Sequence, residues 1–183
     1  MKVCEAAVSN SSHEHWAVPD EVKDGREFIL NPPEPELVLD YEIESRNYAK
    51  AGKASSDIKL TLKQLGVDPS VLRKIAIACY EAEINVVAHS KGGKMHANIY
   101  DDRVLVILED EGPGIEDVEK AMLPGFSTAD ELAREMGFGA GLGLPNIKKN
   151  CDAMHISSRL GYKTRLNFFV LFDKLINGNT NEQ

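Results

Sequence analysis

The stretch MGFGAGLGLPN, residues 136–146, places four glycines within seven residues and then reaches a proline. Glycine loses much conformational entropy on folding and is favoured where backbone passes close to other atoms or adopts positive φ. A dinucleotide-binding fingerprint would need its third glycine at Leu142, and the chain contains no P-loop sequence. The run therefore predicts a purpose other than a turn, and a flexible surface loop stays open as the simpler alternative.

Length and composition indicate one globular domain with a short extension. The chain has 183 residues, of which 43% are hydrophobic and 27% charged, and these values are ordinary for a folded domain. No apolar run approaches the length of a membrane span, and the first residues lack the apolar core of a signal peptide. We expect a cytoplasmic protein that does not enter membranes.

Net charge and cysteine content limit the kinds of partner, compartment and metal site to expect. The formal net charge is −8, from 21 basic and 29 acidic residues, so repulsion from phosphates disfavours nucleic acid as a partner. Cys4, Cys79 and Cys151 lie far apart and form no C-x-x-C pair. This usage fits a reducing compartment and argues against a structural zinc site. A protein partner is the better expectation.

Hydrophobic periodicity predicts alternating strands and helices after residue 35. A helix is expected from a cap at Ser56 or Asp57 to Gly66, and a stronger one begins at Asp68 with proline in its first turn. Shorter helices are expected at residues 116–122, 129–136 and 145–151, and strands at residues 36–43, 95–100, 103–110, 154–159 and 164–172.

This order predicts an α/β fold, a two-layer α/β sandwich with a mixed, largely antiparallel sheet and helices on one face. Residues 1–35 contain four prolines and no sustained period, so we assign them to an N-terminal extension or linker with little core of its own. The domain is expected over residues 36–174, and residues 175–183 form a C-terminal tail.

Two polar groups carry candidate chemistry. Glu81, Asn85 and His89 are four residues apart, so they form a polar line along one side of the strong helix. An acid and an amide can orient a nucleophile and hold a small cation, whereas the alternative is a solvated helix face. Asp110 ends a strand just before Gly112-Pro113-Gly114, where it could accept a hydrogen bond from an exocyclic amine of a flat ring; a plain Asp-Gly turn is the alternative.

Taken together, these clusters resemble the three ATP-binding boxes of the GHKL ATPase superfamily, which includes gyrase B, Hsp90, histidine kinases and MutL. The matching patterns are Glu81-x-x-x-Asn85, Asp110-x-Gly112-x-Gly114 and the glycine run from residue 137 to 143, and the resemblance covers roughly residues 36–172. It implies a Bergerat-type ATP-binding fold in which the glycine run forms the hinge of an ATP lid. DEGPGIEDVEKAMLPGFST and GAGLGLPNIKK are most similar to the small anti-sigma regulatory serine/threonine kinases, of the switch-kinase type.

The resemblance implies a role for each matching residue. Glu81 would be the catalytic general base, Asn85 would hold Mg²⁺, and Asp110 would bind the adenine amine with support from Thr164. The base pocket and the phosphate site would be lined by Gly112, Gly114, Gly139, Gly141, Leu142 and Gly143. His89 and Arg134 are weaker candidates for phosphate contacts. The lid segment ADELAREMGFGA is longer than the family pattern, and the extension before Glu36 has no place in the minimal domain.

The implied function is an ATP- and Mg²⁺-dependent serine/threonine kinase that phosphorylates a STAS-type antagonist protein in a sigma-factor or stress-signalling partner switch. An alternative keeps the ATP site without transfer, as an ATP-gated anti-sigma module that sequesters a sigma factor or another regulator. A stand-alone ATPase is a third alternative. The sequence leaves open whether two copies form a homodimer. The segment SSHEHW, residues 11–16, superficially resembles a phosphoacceptor histidine motif, but Pro19 follows too closely for the long helix that such a motif needs.

Overall fold

The chain folds around an antiparallel sheet, and the computed structural model describes residues 13–172 of it. The strands are β1 (Glu14–Ala17), β2 (Leu37–Ile43), β3 (Gly93–Ile99), β4 (Arg103–Asp110), β5 (Ala153–Ser157) and β6 (Arg165–Leu171). They lie side by side in the order β1-β5-β6-β4-β3-β2, and every neighbouring pair is antiparallel. Cys4 and the predicted tail lie outside the described residues.

Within residues 13–172, six helices accompany the sheet: α1 (Gly25–Leu30), α2 (Lys53–Gln64), α3 (Pro69–His89), α4 (Val118–Ala121), α5 (Glu131–Glu135) and α6 (Gly143–Lys149). The two-layer α/β sandwich is confirmed, because α2, α3 and α6 pack over one face of the sheet. None of the helices within residues 13–172 combines the length and the apolar character needed to cross a membrane.

The alternation of side chains along β4 separates two hydrophobic clusters. Val104, Val106 and Leu108 belong to the main core beneath the helices, whereas Leu105 and Ile107 point to the opposite face. Both sides of this central strand are therefore covered, which explains why its sequence reads as an almost continuous apolar run.

Helix α1 covers part of the second face, contrary to the expectation that helices lie on one face only. Ile29 is 5% exposed and packs in one cluster with Leu105 and Phe169. The Arg103 guanidinium lies 4.2 Å from the ring centre of Phe28 and 2.9 Å from an Asp24 carboxylate oxygen. Segment 13–35, predicted to have little core of its own, thus contributes to the fold, while the domain boundary at residue 36 stays a prediction.

Helix α3 begins as its sequence predicts and forms the backbone of the helical layer. The Asp68 carboxylate accepts a 2.7 Å hydrogen bond from the Ser70 N–H, and Pro69 occupies the first turn. An apolar stripe that includes Ile75, Cys79 and Ala82 is fully buried against the sheet and α2. Because this stripe is buried, the 21-residue helix has a fixed position on the sheet, and so do the polar side chains outside the stripe.

Helix α2 begins at Lys53, so the predicted cap at Ser56 or Asp57 is wrong. The residue before the helix is Gly52, which has no side chain to cap it. The cap comes instead from α3, where the buried Glu83 carboxylate accepts hydrogen bonds from the N–H groups of Ala54 (3.3 Å) and Ser55 (3.1 Å). A carboxylate at a helix N-terminus satisfies free N–H groups and interacts favourably with the helix dipole.

Candidate functional site

A cavity of about 940 Å³ lies between α3, the end of β4, the β5–β6 connection and the glycine run. Its lining includes every site residue predicted from the sequence except Gly112 and the weaker candidate Arg134: Glu81, Asn85, His89, Asp110, Gly114, Gly139, Gly141, Leu142, Gly143 and Thr164. Three segments that are distant in sequence therefore converge on one space. That volume is within the usual range of small-molecule sites.

Asp110 forms one end of the cavity with a carboxylate whose orientation is fixed. Its Oδ1 accepts hydrogen bonds from the Gly112 N–H (2.7 Å) and the Thr164 N–H (3.0 Å), and its own N–H donates to the Thr164 carbonyl (3.0 Å). Its Oδ2 accepts no hydrogen bond from any residue of the described range 13–172. One carboxylate oxygen is thus held by backbone, and the other remains an acceptor at the cavity wall.

Thr164 supports Asp110 through its backbone, while its side chain makes a separate contact. The Thr164 hydroxyl lies 2.8 Å from the Ser158 hydroxyl, which in turn accepts a 2.8 Å hydrogen bond from the Ile115 N–H. Thr164 is 6% exposed, so this network is shielded from solvent. It ties the end of β5 to the start of β6 and fixes the segment after Asp110.

Gly112 and Gly114 have different surroundings. Gly112 is absent from the cavity lining and acts through its N–H to Asp110. Gly114 lines the cavity at φ +79°, and a Cβ there would overlap the carbonyl oxygens of Arg159 and Tyr162. Glycine is therefore required at Gly114 by the close approach of the β5–β6 connection, in addition to any space that a ligand needs.

The polar line of α3 also lines the cavity. The Asn146 side-chain amide on α6 donates a 2.7 Å hydrogen bond to Glu81 Oε1. Asn85 lies against Gly143, the first residue of α6. Burial lowers the pKa of His89, and the nearby Asp130 carboxylate opposes that shift. His89 is thus favoured in its neutral form, which weakens it as a cationic phosphate ligand.

The glycine run is packed against the chain, so it is not a free surface loop. Gly141 has φ +70°, and a Cβ there would lie 2.5 Å from the Gly125 carbonyl carbon and 2.6 Å from Phe126 backbone atoms. The Gly125 N–H also donates a 2.9 Å hydrogen bond to the Gly141 carbonyl. Backbone meets backbone here, which leaves no space for a side chain.

Residues 123–142, which include the predicted lid segment, contact the loop that follows β2. Arg46 Nη2 lies 2.6 Å from Asp130 Oδ2, and the rings of Tyr48 and Phe138 stack with centres 5.5 Å apart. Arg134, a predicted phosphate candidate, is exposed and absent from the cavity lining. No sequence motif predicted the contacts of Arg46 and Tyr48, because pairs so far apart along the chain leave no local pattern.

The cavity offers few side-chain ligands for a metal ion. Within residues 13–172, no group of three or more His, Cys, Asp or Glu side chains could hold a metal ion. Asn85 lines the cavity, and its side-chain amide carries an oxygen that can bind a cation. This donor set fits Mg²⁺ only if a bound phosphate supplies most of the ligands, which is how Mg²⁺ is commonly held at nucleotide sites.

The sandwich fold, the Asp110 carboxylate and the packed glycine run define an ATPase domain of the GHKL class. The chain belongs to the family of histidine kinase-, DNA gyrase B- and HSP90-like ATPases, which its residues 71–174 match. It is 32% identical over 108 residues to the serine/threonine-protein kinase RsbT of Bacillus subtilis (strain 168), covering 57% of this chain and 75% of that protein.

Further relatives carry a different name. The chain is 34% identical over 105 residues to an anti-sigma F factor of Caldanaerobacter subterraneus subsp. tengcongensis, covering 54% of this chain and 70% of that protein. It is 29% identical over 130 residues to an anti-sigma F factor of Clostridium acetobutylicum, covering 67% of this chain and 82% of that protein. The resemblance to anti-sigma and switch-kinase proteins is confirmed.

Proposed function

We propose that this chain is an ATP-dependent serine/threonine protein kinase that phosphorylates a STAS-type antagonist in a cytoplasmic partner switch. The observation that carries the proposal is the position of Glu81. This carboxylate lines the cavity one helical turn before Asn85. A module that only binds nucleotide has no need of a carboxylate at that position, whereas transfer to a hydroxyl does.

Adenine would be bound at the Asp110 end. Oδ2 of Asp110 is the acceptor that an exocyclic amine needs, and Oδ1 is already occupied by two backbone N–H donors. Because those donors hold the carboxylate, little side-chain entropy remains to be lost on binding. The role of Thr164 is to fix that carboxylate through its N–H.

Mg²⁺ would be held by Asn85 together with the nucleotide phosphates. When bound, the ion neutralises negative charge on the phosphates and orients them. The amide oxygen of Asn85 is a hard, neutral ligand suited to such an ion. Gly143 leaves the space in which this amide lies.

Glu81 would act as the general base toward a serine or threonine hydroxyl of the partner. As the hydroxyl oxygen bonds to the γ-phosphorus, the bond from that phosphorus to the bridging oxygen breaks and ADP leaves. The hydroxyl proton passes to the Glu81 carboxylate. Positioning of the two reactants supplies most of the acceleration in reactions of this kind.

The test is phosphoryl transfer from γ-labelled ATP, with Mg²⁺, to candidate STAS-domain proteins. We expect label on a serine or threonine of the partner, and a loss of at least about a hundredfold in rate for Glu81→Gln. Glu42→Gln, an exposed residue of β2, is the matched control and should transfer at the wild-type rate. Transfer that is unchanged in Glu81→Gln would refute the assignment of the base.

A second candidate is an ATP-gated binding module that sequesters a sigma factor. The relatives named anti-sigma F factor favour it. It predicts a complex with a sigma factor on gel filtration that requires ATP, with no labelled partner and no effect of Glu81→Gln. The two functions are thus separated by whether label is transferred from the nucleotide to a partner protein.

A further inference from the structure

Asn146 contacts Glu81, the proposed general base, and no sequence motif predicted this contact. It lies on α6, three residues after Gly143, and its Nδ2 donates a 2.7 Å hydrogen bond to Glu81 Oε1 on α3. Residues 81 and 146 are separated by 65 positions in the chain. Both line the cavity, so the contact is part of the site wall.

The chemistry of the two side chains determines which atoms of Asn146 and Glu81 form the hydrogen bond. An ionised carboxylate only accepts hydrogen bonds, so the amide must present its nitrogen to Glu81. A neutral amide is not acidic enough to give up its proton here, so it orients the carboxylate without taking part in proton transfer. Glu81 Oε2 has no hydrogen-bond partner among residues 13–172. One oxygen is thus held and the other is left for a substrate hydroxyl.

The helix that carries Asn146 is itself fixed against α3. Gly143 and Asn146 are three residues apart, so they lie on the same side of α6. At Gly143 a Cβ would lie 2.7 Å from Asn85 Oδ1, and Ile147 is fully buried in the main core. The donor is therefore held by close packing on both sides of it, as a positioning residue requires.

We propose that Asn146 is a positioning residue for Glu81: it holds Oε1 so that Oε2 faces the hydroxyl that receives the phosphoryl group. This inference rests on the proposed kinase function. The proton of the hydroxyl goes to Oε2, and Asn146 neither gains nor loses a proton. Its contribution is orientation of the base before the reaction begins.

The experiment compares Asn146→Leu, Asn146→Gln and Asn146→Asp with wild type in transfer to the STAS-domain protein that wild type phosphorylates. Leu has a similar size without a donor, so we expect kcat to fall about tenfold to a hundredfold with KM for ATP unchanged. Gln keeps an amide donor and should recover part of the loss. In the Glu81→Gln background, Asn146→Leu should have little further effect.

Asn146→Asp tests whether residue 146 contacts the carboxylate that accepts the proton. Two carboxylates within hydrogen-bond distance cannot both ionise easily, so the acid limb of the pH–rate profile should move to higher pH. The other ionisable side chains of the lining are the same in both proteins: Tyr80, His89, Asp110, Glu116, Asp117 and Lys120. A shift of the acid limb in Asn146→Asp therefore comes from the contact between residues 81 and 146.

Asn150→Leu, at the C-terminal cap of the same helix, is the matched control. It removes a 2.8 Å hydrogen bond from the Asn150 amide to the Asn146 carbonyl, and Asn150 does not line the cavity. Its rate should equal that of wild type. If wild type transfers phosphate and Asn146→Leu is equally fast, the positioning role alone is refuted. If wild type transfers no phosphate to any candidate, the proposed function fails and this inference fails with it.

Discussion

Gly143 lies so close to Asn85 that a Cβ on the glycine would be 2.7 Å from the amide oxygen and 3.1 Å from the amide nitrogen. The last glycine of the run thus makes room for a side chain of α3, on the wall where Mg²⁺ is proposed to bind. Unlike Gly141, it does not have positive φ, so the requirement for glycine here is purely steric.

Gly143→Ala should displace Asn85 and reduce the Mg²⁺-dependent part of ATP affinity about tenfold, equivalent to about 1.4 kcal/mol. Calorimetric titration with ATP in Mg²⁺ and in EDTA measures that part directly. In the double variant Gly143→Ala/Asn85→Ala the clash is gone, so folding stability should recover while the Mg²⁺ dependence stays low. An unchanged Mg²⁺ dependence in Gly143→Ala would contradict the placement of the ion.

Asp110→Asn should weaken ATP binding about tenfold to a hundredfold. The amide oxygen of Asn can still accept the bonds from the Gly112 and Thr164 N–H groups, but the second position becomes a donor facing the adenine amine. Fluorescence titration with a labelled ATP analogue checks the affinity, and thermal unfolding serves as the control for folding. Wild-type affinity in this variant would remove the basis for the adenine site.

Glu83→Ala should destabilise the fold by about 2–3 kcal/mol, since two N–H groups at the start of α2 would lose a charged acceptor in a buried setting. Urea denaturation at pH 7.5 measures the free energy of unfolding. Glu81→Gln, two residues away on the same helix, is the comparison and should change stability little. Equal effects of the two changes would argue against a cap supplied by α3.

Ile29→Ala should cost about 2–4 kcal/mol of stability, because this side chain is 5% exposed within the cluster on the second face of the sheet. Leu30→Ala is its matched neighbour, 58% exposed, and should change stability by less than about 0.5 kcal/mol. Chemical denaturation of both variants decides whether α1 is integral to the domain. Similar values for the two would make segment 13–35 a loosely attached extension, as the sequence suggested.

Stability should fall as pH drops below about 6.5, the ordinary pKa of histidine. Burial lowers the pKa of His155, a ring stacked on Trp16 at 3.9 Å, and the Glu14 carboxylate only partly opposes that shift. The unfolded chain then binds a proton that the folded chain does not, so protonation favours unfolding until the folded-state pKa is passed.

His155→Phe keeps an aromatic ring against Trp16 and removes the titration, so it is the variant that tests this effect. Urea denaturation at pH 7.5 and pH 5.5 should give a smaller loss of stability for His155→Phe than for wild type. His89, whose pKa is lowered by burial as well, should account for part of the loss that remains. An equal loss in both proteins would assign the pH dependence to other groups.

The sequence predicted most elements because their signals are local. The Asp68-Pro69 start of α3, the hairpin turned at Asp101-Asp102 and the short helices at residues 118–121 and 131–135 each depend on residues within one turn of each other. The failures share a cause. The start of α2 is set by Glu83, some thirty positions later in the chain, and α1 is held by apolar contacts to strands far along the sequence.

The amino-acid sequence by itself determined the order of strands and helices and the three clusters that identify the ATPase family. Only the tertiary structure decided that Asn146 meets Glu81, that Gly143 makes room for Asn85 and that α1 covers the second face. The physical reason is the separation along the chain over which each kind of interaction acts. Hydrogen-bond caps and side-chain periodicity act within a few residues, whereas packing against a partner depends on where the whole chain brings each surface.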